Sequence, residues 1–136
     1  MTRRTNFELT VEFHRAIGQL PEHQRPGPAA QCATIQLRER LIHEEANEAI
    51  EALEQLRHAD APTRPDLVEH IAKELADVLC VVYGAAAALG IPMDDVYAEV
   101  HASNMSKVGG PVRADGKMLK SDGYRPPDLS RILSST

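Results

Sequence analysis

The chain has 136 residues, the length of one domain, and we expect residues 1–136 to form a single unit. Its net charge of −5 argues against a general nucleic-acid binder, although basic side chains concentrate between Lys107 and Arg131. The longest uncharged run, residues 78–93, is shorter than the ~20 residues of a membrane span. We therefore expect neither nucleic acid nor membrane as a partner.

Hydrophobic periodicity and the positions of Gly and Pro predict four helices and no strand of any length. The helices span residues 6–17, 29–57, 66–89 and 92 to about 104 or 107. Residues 18–28 form a loop with three prolines, and residues 59–65 form a turn. The apolar side of the first helix consists of Phe7, Val11, Phe13 and Ile17. Before the third helix, Thr63-Arg-Pro-Asp66 is typical of a capping box.

Two short acidic motifs interrupt helices that otherwise have apolar faces: Glu44-Glu45-Ala-Asn-Glu48 and Glu74-Leu-Ala-Asp77. At ~100° per residue, Glu44, Glu45 and Glu48 fall within the apolar arc of their helix. Glu74 falls within the apolar stripe of the next helix, and Asp77 lies at its edge. The short turn favours an antiparallel pair, in which residues at equal height have a nearly constant sum of residue numbers. The motifs should therefore face each other, with Glu48 opposite Glu74 and Glu45 opposite Asp77.

Five carboxylates in one apolar seam would repel one another and lose hydration, so the protein must neutralise them. A divalent cation does this better than protonation, and the hard cations Mg²⁺ and Mn²⁺ take oxygen ligands. A structural Ca²⁺ hairpin is disfavoured, because the loop ligands and glycine of an EF-hand are absent. The sequence therefore predicts a Mg²⁺ site, with Mn²⁺ as the alternative cation.

Basic and polar side chains follow the acidic motifs along the chain. Asn104 and Lys107 share one face of the fourth helix with its apolar residues, so they point towards the core. A phosphate-binding role and a simple preference for Lys at a helix C-terminus both fit this position. Residues 108–136 are rich in turns and carry Lys117, Lys120 and Tyr124. Two readings stay open for this segment: a disordered basic end, or a segment with little to pack against that orders over the metal site when substrate binds.

The paired motifs resemble the signature of the all-α nucleoside triphosphate pyrophosphohydrolases. This superfamily includes the MazG proteins, the dimeric dUTPases and the phosphoribosyl-ATP pyrophosphohydrolases. Three later stretches are similar to the tail of a MazG-like branch, some of whose members prefer dUTP: His101-Ala-Ser-Asn-Met-Ser-Lys107, Asp115-Gly-Lys117-x-x-Lys120 and Gly123-Tyr-Arg-Pro-Pro. The resemblance spans roughly residues 37–129, most of the chain.

The resemblance implies a helical core, Mg²⁺ dependence, an obligate oligomer and release of pyrophosphate. It implies that four carboxylates hold the metal: Glu45, Glu48, Glu74 and Asp77. It gives Glu44 the catalytic role of orienting the attacking water or a second metal. On the substrate side it implies Asn104, Lys107, Lys117, Lys120 and Tyr124.

These observations together predict an all-α fold with an antiparallel helical hairpin and four-helix-bundle packing, completed across an oligomer interface. We expect a MazG-like homodimer, or a tetramer. We expect it in the cytoplasm, because two cysteines make no disulfide framework. The expected activity is nucleotide-pool housecleaning, in which a (d)NTP such as dUTP is hydrolysed to the monophosphate and pyrophosphate. Phosphoribosyl-ATP hydrolysis in histidine biosynthesis is the alternative activity. A non-catalytic helical scaffold that binds metal or nucleotide is the alternative of another class.

Overall fold

The computed structural model describes residues 3–20, 28–61 and 64–134, and it is helical. In chain order the helices are α1 (Asn6–Ala16), α2 (Pro28–Arg57), α3 (Pro65–Ala88), α4 (Met93–Met105) and α5 (Leu129–Leu133). These ranges contain no strand, only an isolated bridge between Val112 and Met118. The predicted all-α class is therefore confirmed. No single helix in the described ranges is long and apolar enough to cross a membrane, although α3 and α4 pass that test as a pair.

The chain divides into two compact units, Met1–Leu89 and Gly90–Thr136. The first unit contains α1, α2 and α3, and its most extensive helix contact joins α2 to α3. The second unit contains α4 and α5, which pack on each other.

Helix α1 begins with a reciprocal capping box. The Thr5 hydroxyl accepts from the backbone N–H of Glu8 at 3.1 Å, and the Glu8 carboxylate accepts from the backbone N–H of Thr5 at 2.8 Å. These two bonds satisfy amides that the helix itself leaves without partners. The cap therefore fixes the start of α1 at Asn6, where the sequence predicts it.

The buried side of α1 differs from the predicted one. Thr10 and His14 are buried, whereas Phe13 is 52% and Ile17 is 47% exposed. Polar groups can occupy this side because each has a local partner. The Thr10 hydroxyl donates to the Asn6 carbonyl at 2.9 Å, and Nδ1 of His14 lies 2.9 Å from the Thr10 carbonyl. The expectation that all four large apolar residues form the inner side of α1 is wrong for Phe13 and Ile17.

Helices α2 and α3 form the predicted antiparallel hairpin. Arg38 of α2 lies against Gly84 of α3, and Glu48 of α2 lies near Glu74 of α3. Residue numbers thus rise along one helix as they fall along the other. Small buried side chains at the contact let the two helix axes approach closely. They are Ala49, Ala52 and Ala86, with Ile71 as the large member.

The described part of the chain shows how α3 begins at Arg64 and Pro65. Thr63, the capping residue of the expected box, lies outside the described residues, and Arg64 is the N-cap, with no side-chain cap hydrogen bond. The Arg64 guanidinium instead donates to the Asp66 carboxylate, with Nε 3.1 Å from Oδ1. Pro65 at the first helical position compensates in part, because its fixed φ suits a helix start and it has no N–H to satisfy.

The C-terminal segment is folded onto α4 rather than lacking contacts. The hydroxyl of Ser103, which is buried, donates to the Arg125 carbonyl at 2.8 Å. The Glu99 carboxylate accepts from the Arg125 guanidinium at 2.6 Å and from the Asp128 backbone N–H at 2.9 Å. The expectation that this segment has little to pack against is therefore wrong. Helix α5, which the sequence reading omits, begins at an Asp128 side-chain cap.

Gly84 generates a stability prediction for the first unit. A Cβ at this position would lie 2.5 Å from Nε2 of His14 and 3.2 Å from Nη1 of Arg38. We expect Gly84→Ala to lower the free energy of unfolding by about 1–3 kcal/mol, because α1 and Arg38 must shift. This is the net loss that remains after the ~1 kcal/mol by which Ala stabilises a helix relative to Gly.

Urea denaturation would measure the effect, with Gly123→Ala as the control. A Cβ at Gly123 would meet only the Ser121 hydroxyl, at 3.9 Å. A Gly84→Ala protein as stable as wild type would contradict the close packing of His14 against α3.

Candidate active site

Three carboxylates come together at the α2–α3 contact. Glu45 and Glu48 lie three residues apart on α2 and share a face, and Glu74 faces them from α3. One carboxylate oxygen from each residue lies within 4.8 Å of the other two. Glu74 is buried, Glu45 is half-buried and Glu48 is exposed, so the group sits at the solvent edge of the helix contact. We call Glu45, Glu48 and Glu74 the acidic cluster.

Glu74 is the deepest member of the acidic cluster and is only half satisfied. Its Oε1 accepts from Nζ of Lys73 at 3.0 Å and lies 3.4 Å from Nδ1 of His70. Its Oε2 is buried and has no hydrogen-bond partner within the described part of the chain. A buried carboxylate oxygen without a donor is costly. This oxygen is therefore the clearest sign that the acidic cluster is built to hold a cation.

Asp77 and Lys73 border the acidic cluster on α3. Nζ of Lys73 lies 2.9 Å from Oδ2 of Asp77, one helical turn away, as well as 3.0 Å from Glu74. Hydrogen bonds to Asp77 and then to Glu74 raise the pKa of Lys73 above its ordinary value. The sequence reading omits Lys73. Its position directly before Glu74 and four residues before Asp77 is the signal that could have revealed it.

The environment of the acidic cluster changes the pKa of Glu45. Burial raises the pKa of Glu45, and the charges of Glu48 and Asp77 raise it further. Lys73 opposes this rise. Glu45 therefore lies close enough to Asp77 to sense its charge, as the antiparallel register predicts.

Glu44 lies apart from the other motif carboxylates. It is exposed and lines a separate surface depression of about 390 Å³, together with Gln36, Glu39, Arg40 and His43. Adjacent helix positions point about 100° apart, so Glu44 turns away when Glu45 faces α3. The expectation that Glu44 lies in the apolar seam is wrong, and its catalytic role remains a prediction.

Four of the five predicted substrate-side residues lie together in the second unit. Nζ of Lys107 donates to Oδ1 of Asn104 at 2.8 Å. Nζ of Lys107 and Nζ of Lys120 lie 5.8 Å and 4.7 Å from the ring centre of Tyr124. Both ammonium groups are thus held over one aromatic ring by cation–π attraction. We call Asn104, Lys107, Lys120 and Tyr124 the lysine–tyrosine cluster.

Lys117 is not part of this group. It is exposed in the turn of residues 113–117, where its carbonyl accepts from the Arg113 backbone N–H at 2.8 Å. Its own backbone N–H donates to the Asp115 carboxylate at 3.2 Å. These bonds define the conformation of the turn, and they leave the Lys117 ammonium on the surface.

Comparison with known proteins supplies the family. The family model described as phosphoribosyl-ATP pyrophosphohydrolase matches residues 10–104, well over half of the chain. The chain belongs to this family. No curated protein matches the sequence.

Membership in the phosphoribosyl-ATP pyrophosphohydrolase family confirms the predicted superfamily and makes the protein a hydrolase of phosphoric anhydride bonds in nucleotides. The matched range contains the acidic cluster, Asp77 and Asn104. It ends before Lys107, Lys120 and Tyr124. Enzymes of this family are generally metal-dependent, and the acidic cluster has the donor set for a metal ion.

Sequence reading of this family member also missed a buried cation, Arg38, which is 5% exposed. Its Nη2 donates to Oε1 of Gln19 at 3.0 Å, whereas Nε and Nη1 have no partner among the residues that the structure describes. Burial lowers the pKa of Arg38. Arg38 precedes Glu45 by two helical turns, and that spacing could have placed it on the α3-facing side.

A pH-dependent stability difference follows from the raised pKa of Glu45. A carboxyl whose folded-state pKa is raised contributes stability below its unfolded pKa of 4.5, and this contribution is lost as the pH rises through the folded pKa. In EDTA, Glu45→Gln should therefore be more stable than wild type near pH 7. The difference should disappear at about pH 3.5, where Glu45 is protonated in both states.

Urea midpoints across this pH range would measure the difference. Glu51→Gln, an exposed position on the same helix, is the control and should follow wild type at every pH. An equal difference between Glu45→Gln and wild type at both pH values would contradict charge repulsion within the acidic cluster.

Proposed function

We propose that this family member is a Mg²⁺-dependent nucleoside triphosphate pyrophosphohydrolase that acts on a (d)NTP in cytoplasmic nucleotide-pool housecleaning. The observation that carries the metal part is the acidic cluster, in which Oε2 of buried Glu74 has no hydrogen-bond partner among the described residues. Mg²⁺ is the proposed ion because all available ligands are carboxylate oxygens, with Mn²⁺ as a substitute.

The proposed reaction breaks the anhydride bond between the α- and β-phosphates, and water supplies the new oxygen. Glu45, Glu48, Glu74 and Asp77 would hold the cation. When bound, the cation would offset phosphate charge and favour ionisation of water. Glu44 is the proposed acceptor of the water proton, because it directly precedes Glu45 in the chain and, as an exposed carboxylate outside the acidic cluster, is not used to hold the cation.

The lysine–tyrosine cluster is the proposed phosphate-binding group. Lys107 and Lys120 are held over Tyr124, so two positive charges occupy one small region of the second unit. Charge developing on a leaving pyrophosphate would be stabilised by such groups. Asn104 holds the Lys107 ammonium by its hydrogen bond and thereby limits its positions.

Phosphoribosyl-ATP is the second candidate substrate, and the family match favours it directly. It contains the same triphosphate, so the same metal-holding carboxylates would serve. The two candidates differ in the group attached to the base, which an additional subsite must admit or reject.

A homodimer is the proposed assembly, with a tetramer as the alternative. Large apolar side chains on α2 and α3 remain exposed in the isolated chain, among them Ile50 at 53%, Leu53 at 46%, Leu75 at 46% and Leu79 at 47%. Packing the hairpin against that of a second copy would remove these side chains from water and complete a four-helix arrangement.

A substrate panel would test the proposed activity. All common NTPs and dNTPs, together with phosphoribosyl-ATP, would be supplied with Mg²⁺ or Mn²⁺ and the products followed by chromatography. Formation of a dNMP and pyrophosphate at the highest kcat/KM supports the proposal. A preference for phosphoribosyl-ATP would instead assign the protein to the reaction of histidine biosynthesis. Absence of turnover with every substrate would contradict both proposed activities.

The effect of Mg²⁺ on protein stability gives a prediction that can be tested without knowing the substrate. Mg²⁺ at about 100 times its Kd should raise the free energy of unfolding of wild type by about 2.7 kcal/mol. Glu48→Gln should lose most of this gain and most activity, because it removes one ligand from the acidic cluster. Glu51→Gln, one turn further along α2 and exposed, is the matched control and should keep both. Thermal denaturation with Mg²⁺ and with EDTA is the measurement, and a full Mg²⁺ response in Glu48→Gln would remove Glu48 from the metal site.

The two lysines of the C-terminal segment should differ in their kinetic effects. Lys120→Met should lower kcat/KM about tenfold or more, because it removes a charged contact to the substrate phosphates and to the leaving pyrophosphate. Lys117→Met should have a smaller effect, because Lys117 lies in an exposed turn. Steady-state kinetics on the preferred nucleotide would compare them. Equal losses would show that Lys117 joins the phosphate site on substrate binding.

A further inference from the structure

Lys73 pairs with carboxylates that are proposed to hold the metal ion. Its ammonium lies 3.0 Å from Oε1 of Glu74 and 2.9 Å from Oδ2 of Asp77, two of the four carboxylates proposed as metal ligands. It also sits within the electrostatic reach of Glu45. The side chain itself is 63% exposed, so it can leave without unpacking the core.

This contact is not an ordinary surface ion pair. Exposed pairs join two solvated groups and contribute little to stability. Here a surface lysine reaches a carboxylate whose side chain is only 4% exposed and whose second oxygen has no partner among the described residues. The ammonium therefore offsets part of the charge of a buried acid that would otherwise repel its neighbours.

A divalent cation and the Lys73 ammonium compete for the same lone pairs. Oε1 of Glu74 and Oδ2 of Asp77 accept from Lys73, whereas Oε2 of Glu74 stays free of donors in the described chain. A cation can therefore enter at Oε2 of Glu74, but it takes the place at Oδ2 of Asp77 only if Lys73 leaves that oxygen. Mutual repulsion between the two cations drives the same exchange.

We propose that Lys73 is an internal counter-ion that the metal displaces, and that the displaced ammonium then binds a phosphate oxygen of the nucleotide. The inference rests on the proposed metal-dependent function. A lysine ammonium is strongly hydrated and needs an anionic partner after it leaves the carboxylates. The phosphates of a nucleotide held at the acidic cluster are the anions that its flexible stem can reach. Lys73 would thus make metal and nucleotide binding mutually favourable.

Titration calorimetry with Mn²⁺ on the full chain tests both steps, without and with a non-hydrolysable α,β-imido nucleotide. Without nucleotide, Lys73→Met should bind Mn²⁺ about 3- to 10-fold more tightly than wild type, since no ammonium has to be displaced. Lys73→Arg should stay near wild type because it keeps the charge. Arg57→Met is the matched control, because it removes an exposed cation of α2 that pairs with Glu54 at 3.9 Å. The nucleotide should tighten Mn²⁺ binding more in wild type than in Lys73→Met.

The outcomes separate the two steps from each other and from the proposed function. Unchanged or weaker Mn²⁺ binding by Lys73→Met would overturn the counter-ion role. Tighter binding with the same nucleotide effect as wild type would overturn the phosphate contact. Absence of Mn²⁺ binding in wild type would instead overturn the metal site itself.

A spectrum of the lysine ammonium groups by ¹H–¹⁵N NMR is the second readout. It uses the wild-type protein, and the Lys73 signal should move when Mg²⁺ is added and move again with the nucleotide.

Discussion

Repulsion between carboxylates at the α2–α3 contact is the constraint on which the rest of this structure depends. Glu45 and Glu48 of α2 meet Glu74 of α3 at this contact, with one oxygen of each within 4.8 Å of the others. Burial raises the pKa of Glu45, and the charges of Glu48 and Asp77 raise it further. One oxygen of Glu74 has no donor in the described chain. We propose that a cation neutralises this arrangement: Lys73 when the metal is absent, and a divalent ion in the working enzyme.

The hairpin could be predicted from the sequence because its signals are local and repeated. A 3.6-residue period, a short turn and the antiparallel register together place Glu48 opposite Glu74, and the structure has them within reach of one metal. The buried side of α1 could not be predicted in this way. His14 is buried because Gly84 of α3 leaves space for its ring, which is a tertiary condition, and because the Thr10 carbonyl within α1 supplies a partner. Hydrophobicity alone favours Phe13, which is half exposed.

The residues of the candidate site could be predicted from the sequence only in part, for the same reason. Motif spacing identifies the carboxylates that meet, but it groups Glu44 with them, because an apolar arc is wide enough to include adjacent positions. It says nothing of Lys73 or Arg38, whose importance comes from burial of their neighbours or of themselves. The C-terminal segment looked unsupported because its partners are the polar groups of α4, Ser103 and Glu99, rather than an apolar face. Substrate choice depends on contacts to the base and its attached groups, which no motif in the chain encodes.

The central claim is that Glu45, Glu48 and Glu74 hold one divalent cation. A crystal structure of the protein grown with Mn²⁺, with anomalous diffraction from the metal, tests it most directly. We expect one strong anomalous peak, at a metal ion coordinated by one oxygen of each of the three carboxylates at about 2.0–2.3 Å. A peak elsewhere, for example among Glu39, His43 and Glu44, or no peak at saturating Mn²⁺, would contradict it.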